Sequence, residues 1–220
     1  AASDVYKRQI MRNKRVCDYI AEAIQNEILS GHMQSGDPLR QEELADSLGY
    51  SRIPIREALQ ILESQGLVKR LATRHVVVAD FSDDVIEEIY ELLSDVEIKL
   101  IRAMMKSGVP LWGNSIEDMT VRTLNMAGNM SPEVQFHETL IVNSHNEYFI
   151  HILENGLWCY IRFAVEETAA GRENTHRLEL LSEIAAAYNA MDIEKVKKLL
   201  RDYFKCLCEA VIKERVDKNG

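Results

Sequence analysis

The stretch from Gln41 to Val68 constrains the fold of this chain more than any other part of the sequence. It predicts two helices joined by a tight turn, because its large apolar residues recur at three- and four-residue intervals, at Leu44, Leu48, Ile55, Leu59 and Leu62. Gly49 is typical of a helix end, since glycine readily adopts the left-handed backbone found there. Ser51 and Pro54 are typical of a helix start, the first as an N-cap residue and the second as a first-turn proline.

Two arginines share one face of the second predicted helix. Arg52 and Arg56 are four residues apart and lie roughly opposite the apolar stripe of that helix. A helix N-terminus attracts phosphate, and guanidinium groups are able to read guanine edges in the DNA major groove. An arginine pair at this spacing is also common on a solvated helix face, so the pair alone leaves both interpretations open.

Two short β-strands are predicted directly after the helix pair. Val68–Arg70 and Val76–Val78 surround a basic turn that contains Arg74. A helix-turn-helix followed by such a hairpin is the layout of a winged helix, whose wing reaches the adjacent minor groove or phosphates. The order of these elements therefore favours DNA binding.

Residues 14–80 resemble the N-terminal domain of GntR-type bacterial transcription regulators. The positions that carry the resemblance are Gly31, Gly36, Asp37, Leu44, Ala45, Ser51, Arg52, Pro54, Arg56, Glu57, Ala58, Leu59, Leu62, Gly66, Leu67 and Val68. The resemblance implies a winged helix-turn-helix that binds a double-stranded DNA operator, with Arg52 and Arg56 as its principal contacts. Further candidate contacts lie around this pair, at Arg40, Ser51, Gln60 and Arg74.

Two positions depart from the pattern of these regulators. Glu42 stands where some relatives carry an arginine that touches DNA. The turn of the wing, Leu71-Ala72-Thr73-Arg74, lacks the glycine that usually lets a wing press into the minor groove. Both departures bear on the operator sequence and on the affinity rather than on the class of activity.

The charge of the chain is unevenly divided, which matters for a nucleic-acid partner. The formal net charge is −9, but residues 11–80 carry nine Lys and Arg against ten Asp and Glu. The acidity lies in residues 81–220, which carry 15 basic and 24 acidic residues. Non-specific DNA binding should therefore be weak, because phosphate neutralisation supplies most of it. Specific binding then requires two copies of the chain, so we expect a homodimer.

The sequence predicts a cytoplasmic protein without a membrane partner. No apolar run approaches the roughly 20 residues of a membrane-spanning helix, and no signal-peptide pattern is present. The four cysteines contain no CxxC pair and are expected to be free thiols in a reducing compartment. Residues 1–10 carry no periodic signal, and we expect an extension that precedes a natural start at Met11.

A mainly α-helical fold in two domains is predicted. A winged helix-turn-helix domain with a small β-hairpin wing covers 11–80, and an all-α helical bundle covers 82–214, with a polar junction between them. The helices expected in the bundle cover Val85–Lys106, 115–127, 132–144, 146–169, 173–190 and 193–214. No strand pattern follows residue 80.

The predicted bundle resembles the ligand-sensing FCD-type domain of the FadR subfamily of these regulators. The resemblance rests on Glu133–Glu138, Ser144–Asn146 and Asn189–Asp192. Many relatives bind a divalent metal in this bundle through an Asp-x-x-x-His pair on one helix and two later histidines. In this chain the first pair is Glu133 and His137.

The rest of the metal site of these relatives is replaced. The two later ligand positions fall on Leu181 and Tyr203, and Leu93 stands where relatives carry an arginine on the first bundle helix. Leucine cannot bind a metal, and a neutral phenol is a poor ligand. The resemblance therefore implies a sensor that binds a small organic effector directly, without a cofactor. We expect His137, hydrogen-bonded to Glu133, to line this effector site together with Leu181 and Tyr203.

Arg162 is the candidate to hold a carboxylate effector, and two alternative functions stay open. His176 would join Glu133 and His137 as a metal ligand if a one-turn insertion shifted the register, which would make the protein a metal-dependent regulator. A helical protein-interaction scaffold with a winged-helix module is the second alternative. No enzyme is expected, because His137–Ile141 begins like HExxH but lacks the second histidine, and no phosphate loop is present.

Overall fold

The structure, a computed structural model, describes residues 15–109, 111, 131–143, 146–168 and 175–219. The predicted helix over 115–127, the Ser144-His145 part of the sensor motif and the predicted start at Met11 lie outside these residues. Within the described ranges the chain is mainly α-helical and contains one two-stranded antiparallel hairpin. The predicted fold class is confirmed.

Three helices and the hairpin form the N-terminal part. Helix α1 covers Val16–Leu29, α2 covers Gln41–Leu48 and α3 covers Arg52–Ser64. Strands β1 (Val68–Arg70) and β2 (Val76–Val78) pair antiparallel, with Val68 opposite Val78 and Arg70 opposite Val76. These bounds confirm the helix-turn-helix and the wing.

The core of this part lies between α1 and α3. Ile20, Ile24 and Ile28 of α1 recur every four residues and are at most 2% exposed. They belong to one hydrophobic cluster with the buried stripe of α3, which includes Leu59 and Leu62. Burial of each such side chain contributes about 1.5–3 kcal/mol. This stripe holds one face of α3 inward and leaves the opposite face to solvent.

The C-terminal part is formed by helices around a shared core. Helix α4 covers Asp83–Ser107, α5 covers Pro132–Asn143, α8 covers Thr175–Asn189 and α9 covers Ile193–Asn219. Helix α9 packs against both α4 and α8. Among the described residues, no helix is long and apolar enough to cross a membrane.

Two predicted helix starts in this part are confirmed by capping hydrogen bonds. The backbone N–H of Val134 donates to the Ser131 hydroxyl at 3.2 Å, one turn into α5. The backbone N–H of Lys195 donates to the Asp192 carboxylate at 3.0 Å, in the first turn of α9. Each bond satisfies a backbone donor that has no partner within its helix.

The predicted helix over 146–169 is present with two wider turns. Helices α6 (Glu147–Ile152) and α7 (Trp158–Arg162) continue into π-helical segments at Leu153–Leu157 and Phe163–Glu167. The first π segment contains Gly156. π segments of this kind insert an extra residue into a helix and are frequent near functional sites.

The end of α9 joins the two parts of the chain. The Arg215 guanidinium donates to the backbone carbonyls of Ile28 at 3.0 Å, Leu29 at 3.2 Å and Phe81 at 2.9 Å. One hydrophobic cluster also runs from α1 to α9. The predicted boundary at 80–82 falls on the connection between β2 and α4 inside this cluster, so the division into two domains stays a prediction.

Candidate nucleic-acid interface and buried polar cluster

The turn between α2 and α3 forms as the sequence predicts, with one exception. Gly49 ends α2 with φ of 71°, in the left-handed region that favours glycine. Ser51 occupies the N-cap position of α3 with an extended backbone, but its hydroxyl makes no capping hydrogen bond. Ser51 is thus the N-cap residue of α3 as predicted, and only the side-chain capping bond is missing.

The outward face of α3 carries the residues predicted to contact DNA. Arg52, Arg56 and Gln60 are exposed at four-residue spacing, while Ile55 and Leu59 of the same helix are buried. Ile53, in the first turn, is 63% exposed. A helix with its core face covered and its N-terminal side chains free is able to enter a major groove.

Two of the arginines predicted to contact DNA form ion pairs on the surface. Arg52 pairs with Glu42 of α2 at 2.8 Å, and Arg40 pairs with Glu43 at 2.6 Å. All four side chains are more than 60% exposed. Pairs of this kind are worth at most about 1 kcal/mol, so phosphate or a base edge is able to replace the carboxylate. Glu42, which departs from the pattern of relatives, thus pairs with an arginine that is predicted to contact DNA.

The wing places Arg74 at its tip. The N–H of Arg74 donates to the Leu71 carbonyl, and the N–H of Leu71 donates to the His75 carbonyl, both at 2.8 Å. Arg74 has φ of 67°, which costs a non-glycine residue about 1–2 kcal/mol. An arginine therefore occupies the left-handed position that a wing glycine would fill without strain. Its side chain is exposed.

A second group of polar residues is buried among the C-terminal helices. Glu97, Glu133, His137, Arg177 and Tyr203 are each at most 4% exposed, and they come from four different helices. The Arg177 guanidinium donates to both carboxylate oxygens of Glu133, at 2.9 and 3.0 Å. His137 Nδ1 lies 2.6 Å from Glu97 Oε1, and His137 Nε2 lies 3.0 Å from the Tyr203 hydroxyl.

The hydrogen bonds of this buried polar cluster determine where its protons lie. Tyr203 donates its single hydroxyl hydrogen to Glu133 Oε1 at 3.2 Å, so its oxygen must accept from His137 Nε2. The contact between Glu97 and His137 Nδ1 then contains a second proton. With Arg177 paired to Glu133, the whole cluster is electrically neutral. Neutrality avoids the large cost of an uncompensated buried charge.

Aromatic rings surround the histidine of the cluster. The ring centroid of His137 lies 5.1 Å from that of Phe136, 5.7 Å from that of Phe204 and 6.4 Å from that of Trp158. Burial raises the pKa of Tyr203 well above its ordinary value, and the neighbouring Glu133 carboxylate raises it further. Tyr203 therefore stays a neutral hydrogen-bonding group and does not act as a phenolate ligand.

The structure corrects the predicted partners in this site. His137 was predicted to bond Glu133, but its ring contacts Glu97 and Tyr203, while Glu133 bonds Arg177 and Tyr203. Sequence reasoning missed both Glu97 and Arg177. Glu97 follows the buried Leu93 by one turn and so lies on the same face of α4. That spacing was the available signal for Glu97.

Two other predicted site residues lie on opposite sides of α8. Leu181 is fully buried one turn after Arg177, so it faces the core as expected. His176 is exposed and lies 3.8 Å from the carboxylate of Glu179, also on the surface. The register shift that would have brought His176 inward is wrong. Arg177, its neighbour in sequence, points inward instead.

The residues of the cluster do not fit a resident divalent metal. Among the described residues, no group of three His, Cys, Asp and Glu side chains is arranged to hold one. The donor set explains why: both oxygens of Glu133 accept from the Arg177 guanidinium, and both ring nitrogens of His137 carry hydrogen bonds. The positively charged guanidinium of Arg177 thus lies beside the Glu133 carboxylate that a metal would need.

Arg162 lies away from this cluster, at the contact between α1 and α7. It pairs with Glu166 at 2.8 Å and with Glu22 of α1 at 3.5 Å. Glu138 lies near the same guanidinium, and burial raises its pKa to about 7. The structure thus does not bring Arg162 together with His137 and Tyr203 in the buried polar cluster. Its carboxylate partners are side chains of this chain.

Comparisons with known proteins agree with the N-terminal geometry. The family model of the gntR family of bacterial regulatory proteins matches residues 17–78. An uncharacterised HTH-type transcriptional regulator of Agrobacterium vitis is 30% identical over 54% of this chain and 75% of its own length. The gluconate operon transcriptional repressor of Bacillus licheniformis is 32% identical over 62% of this chain and 58% of its own length. The HTH-type transcriptional regulator YdhC of Bacillus subtilis is 26% identical over 58% of this chain and 60% of its own length.

Solved structures share the fold over most of the chain. E. coli McbR/YncC has a TM-score of 0.57 at 16% identity and covers 91% of this chain and 98% of its own. A GntR transcriptional regulator from Rhodococcus sp. RHA1 has a TM-score of 0.53 at 21% identity, over 90% of this chain and 97% of its own. At these identities the likeness shows the fold alone.

Proposed function

The chain belongs to the GntR family of bacterial regulatory proteins, and on that premise we propose that it regulates transcription by binding operator DNA. The observation that carries the proposal is the exposed face of α3, where Arg52 and Arg56 point away from the core. Arg40, Ser51, Gln60 and Arg74 complete the contact surface. The protein acts in the cytoplasm as a binding protein and not as an enzyme.

Operator selection tests this proposal directly. The purified chain is incubated with a pool of random duplexes, and the retained sequences are amplified over several rounds. A recurring two-fold symmetric sequence, bound with an affinity that falls steeply with salt, is the expected result. Retention of all duplexes alike, or of none, would contradict a sequence-specific regulator.

The C-terminal helices act as the sensor, which is the role of this region in the FadR subfamily. We assign residues 82–214 to this FCD-type domain and its effector site to the buried polar cluster. Arg177 is the cation of that site in place of Arg162, so a carboxylate effector would compete with Glu133 for the guanidinium. Glu97 Oε2 is buried without a hydrogen-bond partner, and it offers an acceptor to an effector hydroxyl. A small hydroxy acid has both groups.

Ligand binding to this site is measured by thermal unfolding in the presence of candidate molecules. One relative is named a gluconate operon repressor, so gluconate is the first probe of a panel of hydroxy acids. Stabilisation by one acid of the panel, lost on Glu97→Gln, is expected, because a ligand that binds only the folded state raises its stability. Zinc, nickel and manganese should not stabilise the protein. Stoichiometric metal that His137→Ala removes would overturn the organic-effector assignment.

A homodimer follows from the charge of the DNA-binding part, which is too close to neutral to hold DNA strongly as one copy. We assign the dimer contact to the C-terminal helices, with α4 as its main element. Leu92 of α4 is 53% exposed on the surface of the chain. A second copy would cover this apolar side chain.

Sedimentation velocity at micromolar concentration is expected to give a dimer, and Leu92→Glu is expected to shift it toward monomer. Tyr148→Glu is the matched control, because Tyr148 is 84% exposed on α6, away from α4, and should leave the dimer intact. A wild-type monomer, with and without operator, would contradict the homodimer. Equal effects of the two substitutions would contradict the role of α4.

The wing is expected to contribute affinity rather than sequence preference. Arg74→Ala should weaken binding to operator and to scrambled duplex by a similar factor, because an arginine at a wing tip meets phosphate or a narrow groove. The slope of log affinity against log salt should fall by about one. Binding is followed by fluorescence anisotropy at several salt concentrations. A selective loss for the operator would instead indicate a base contact by Arg74.

A further inference from the structure

Ile53 is an exposed apolar side chain at the edge of the arginine face of α3. It is 63% exposed, and it lies one residue after Arg52 and three before Arg56. Gln60 continues the same exposed face one turn later. Ile53 is not stabilised by packing in the core, because the core side of the helix is the opposite one, where Ile55 is buried.

The position of Ile53 within α3 is that of a base reader. The first turn of a recognition helix is the part that contacts base edges. Arginines on either side of Ile53 are able to form bidentate bonds with guanine O6 and N7. In the major groove, the only apolar group on a base edge is the 5-methyl group of thymine. An isoleucine next to two such arginines matches that methyl group and no polar edge.

We propose that Ile53 is a specificity-determining residue that reads a thymine methyl group in each operator half-site. The proposal rests on the proposed function, since it assumes that α3 enters the major groove. It names the class of operator: a half-site in which this thymine lies next to guanines read by Arg52 and Arg56. The side chain selects the methyl group by shape and by removal of apolar surface from water.

The size of the effect follows from the area of one methyl group. Burying one such group changes affinity by about fourfold. Replacing the thymine by uracil removes only that group and leaves base pairing unchanged. A cytosine at the same place also lacks it, while 5-methylcytosine carries it.

The test combines uracil scanning with the substitution Ile53→Ala. Each thymine of one half-site of a selected operator is replaced in turn by uracil, and affinities are measured for wild type and variant. Wild type is expected to lose about fourfold at one thymine, and Ile53→Ala is expected to bind both duplexes equally. Where the operator tolerates a cytosine at that position, 5-methylcytosine should restore wild-type binding and leave the variant unchanged.

Leu71→Ala is the matched control, because Leu71 is an exposed apolar residue of the wing and not of α3. This variant should keep the full discrimination against uracil. A uracil penalty that is equal in wild type and Ile53→Ala, or no penalty at any thymine, would overturn the assignment of Ile53. Unchanged circular dichroism and thermal unfolding of Ile53→Ala would exclude a loss of fold. If operator selection finds no preferred sequence, the proposed function itself fails before this test is reached.

Discussion

Replacing Arg177 with methionine is expected to lower the free energy of unfolding by about 3–5 kcal/mol, because it leaves the buried carboxylate of Glu133 without its cation. Arg177 donates to both oxygens of that carboxylate, and both residues are less than 5% exposed. Urea-induced unfolding, followed by circular dichroism, measures the change. This pair is buried, so the expected loss is several times that for a surface ion pair.

Two further variants separate the charge effect from simple loss of packing. The double variant Glu133→Gln with Arg177→Met removes both charges, and it is expected to recover most of the lost stability, since an uncharged pair of similar volume is often tolerated. His176→Ala changes the exposed neighbour of Arg177 and should leave stability within about 0.5 kcal/mol of wild type. A double variant as unstable as Arg177→Met would show that the buried charge is not the cause.

Arg52→Ala and Arg56→Ala are each expected to weaken operator binding by about 1–3 kcal/mol, the value of a bidentate contact to a base edge. Both side chains are on the exposed face of α3, so the fold should be unaffected. Fluorescence anisotropy with the selected operator and with a scrambled duplex measures the two affinities. The loss should be larger for the operator, because base contacts carry the sequence preference.

Two further variants serve as controls for the Arg52 and Arg56 variants. Arg102→Ala removes an exposed arginine from α4, outside the proposed DNA surface, and should leave operator affinity unchanged. Glu42→Ala removes the carboxylate that pairs with Arg52 at 2.8 Å, and it should strengthen binding modestly. If both Arg52→Ala and Arg56→Ala bound the operator with wild-type affinity, α3 would not be the helix that contacts DNA.

The sequence by itself determined the elements whose signals are local. The apolar spacing around Gln41–Val68 predicted α2, the turn and α3, because a buried helix face repeats every three or four residues whatever it packs against. Gly49, Ser131 and Asp192 marked helix ends through backbone conformation or capping, both properties of a few adjacent residues. Ser51 marked the start of α3 as its N-cap residue, although its hydroxyl makes no capping bond.

The partners inside the buried polar cluster were decided only by the tertiary structure. The contacts of His137 with Glu97 and Tyr203 join residues 40 and 66 positions apart, and that of Arg177 with Glu133 spans 44. On a helix, neighbouring residues point about 100° apart, so a shift of one position exchanges a buried for an exposed side chain. Arg177 shares a helix face with the buried Leu181, so the sequence of α8 is compatible with an inward arginine. Only the tertiary structure places Glu133, 44 positions away, beside it.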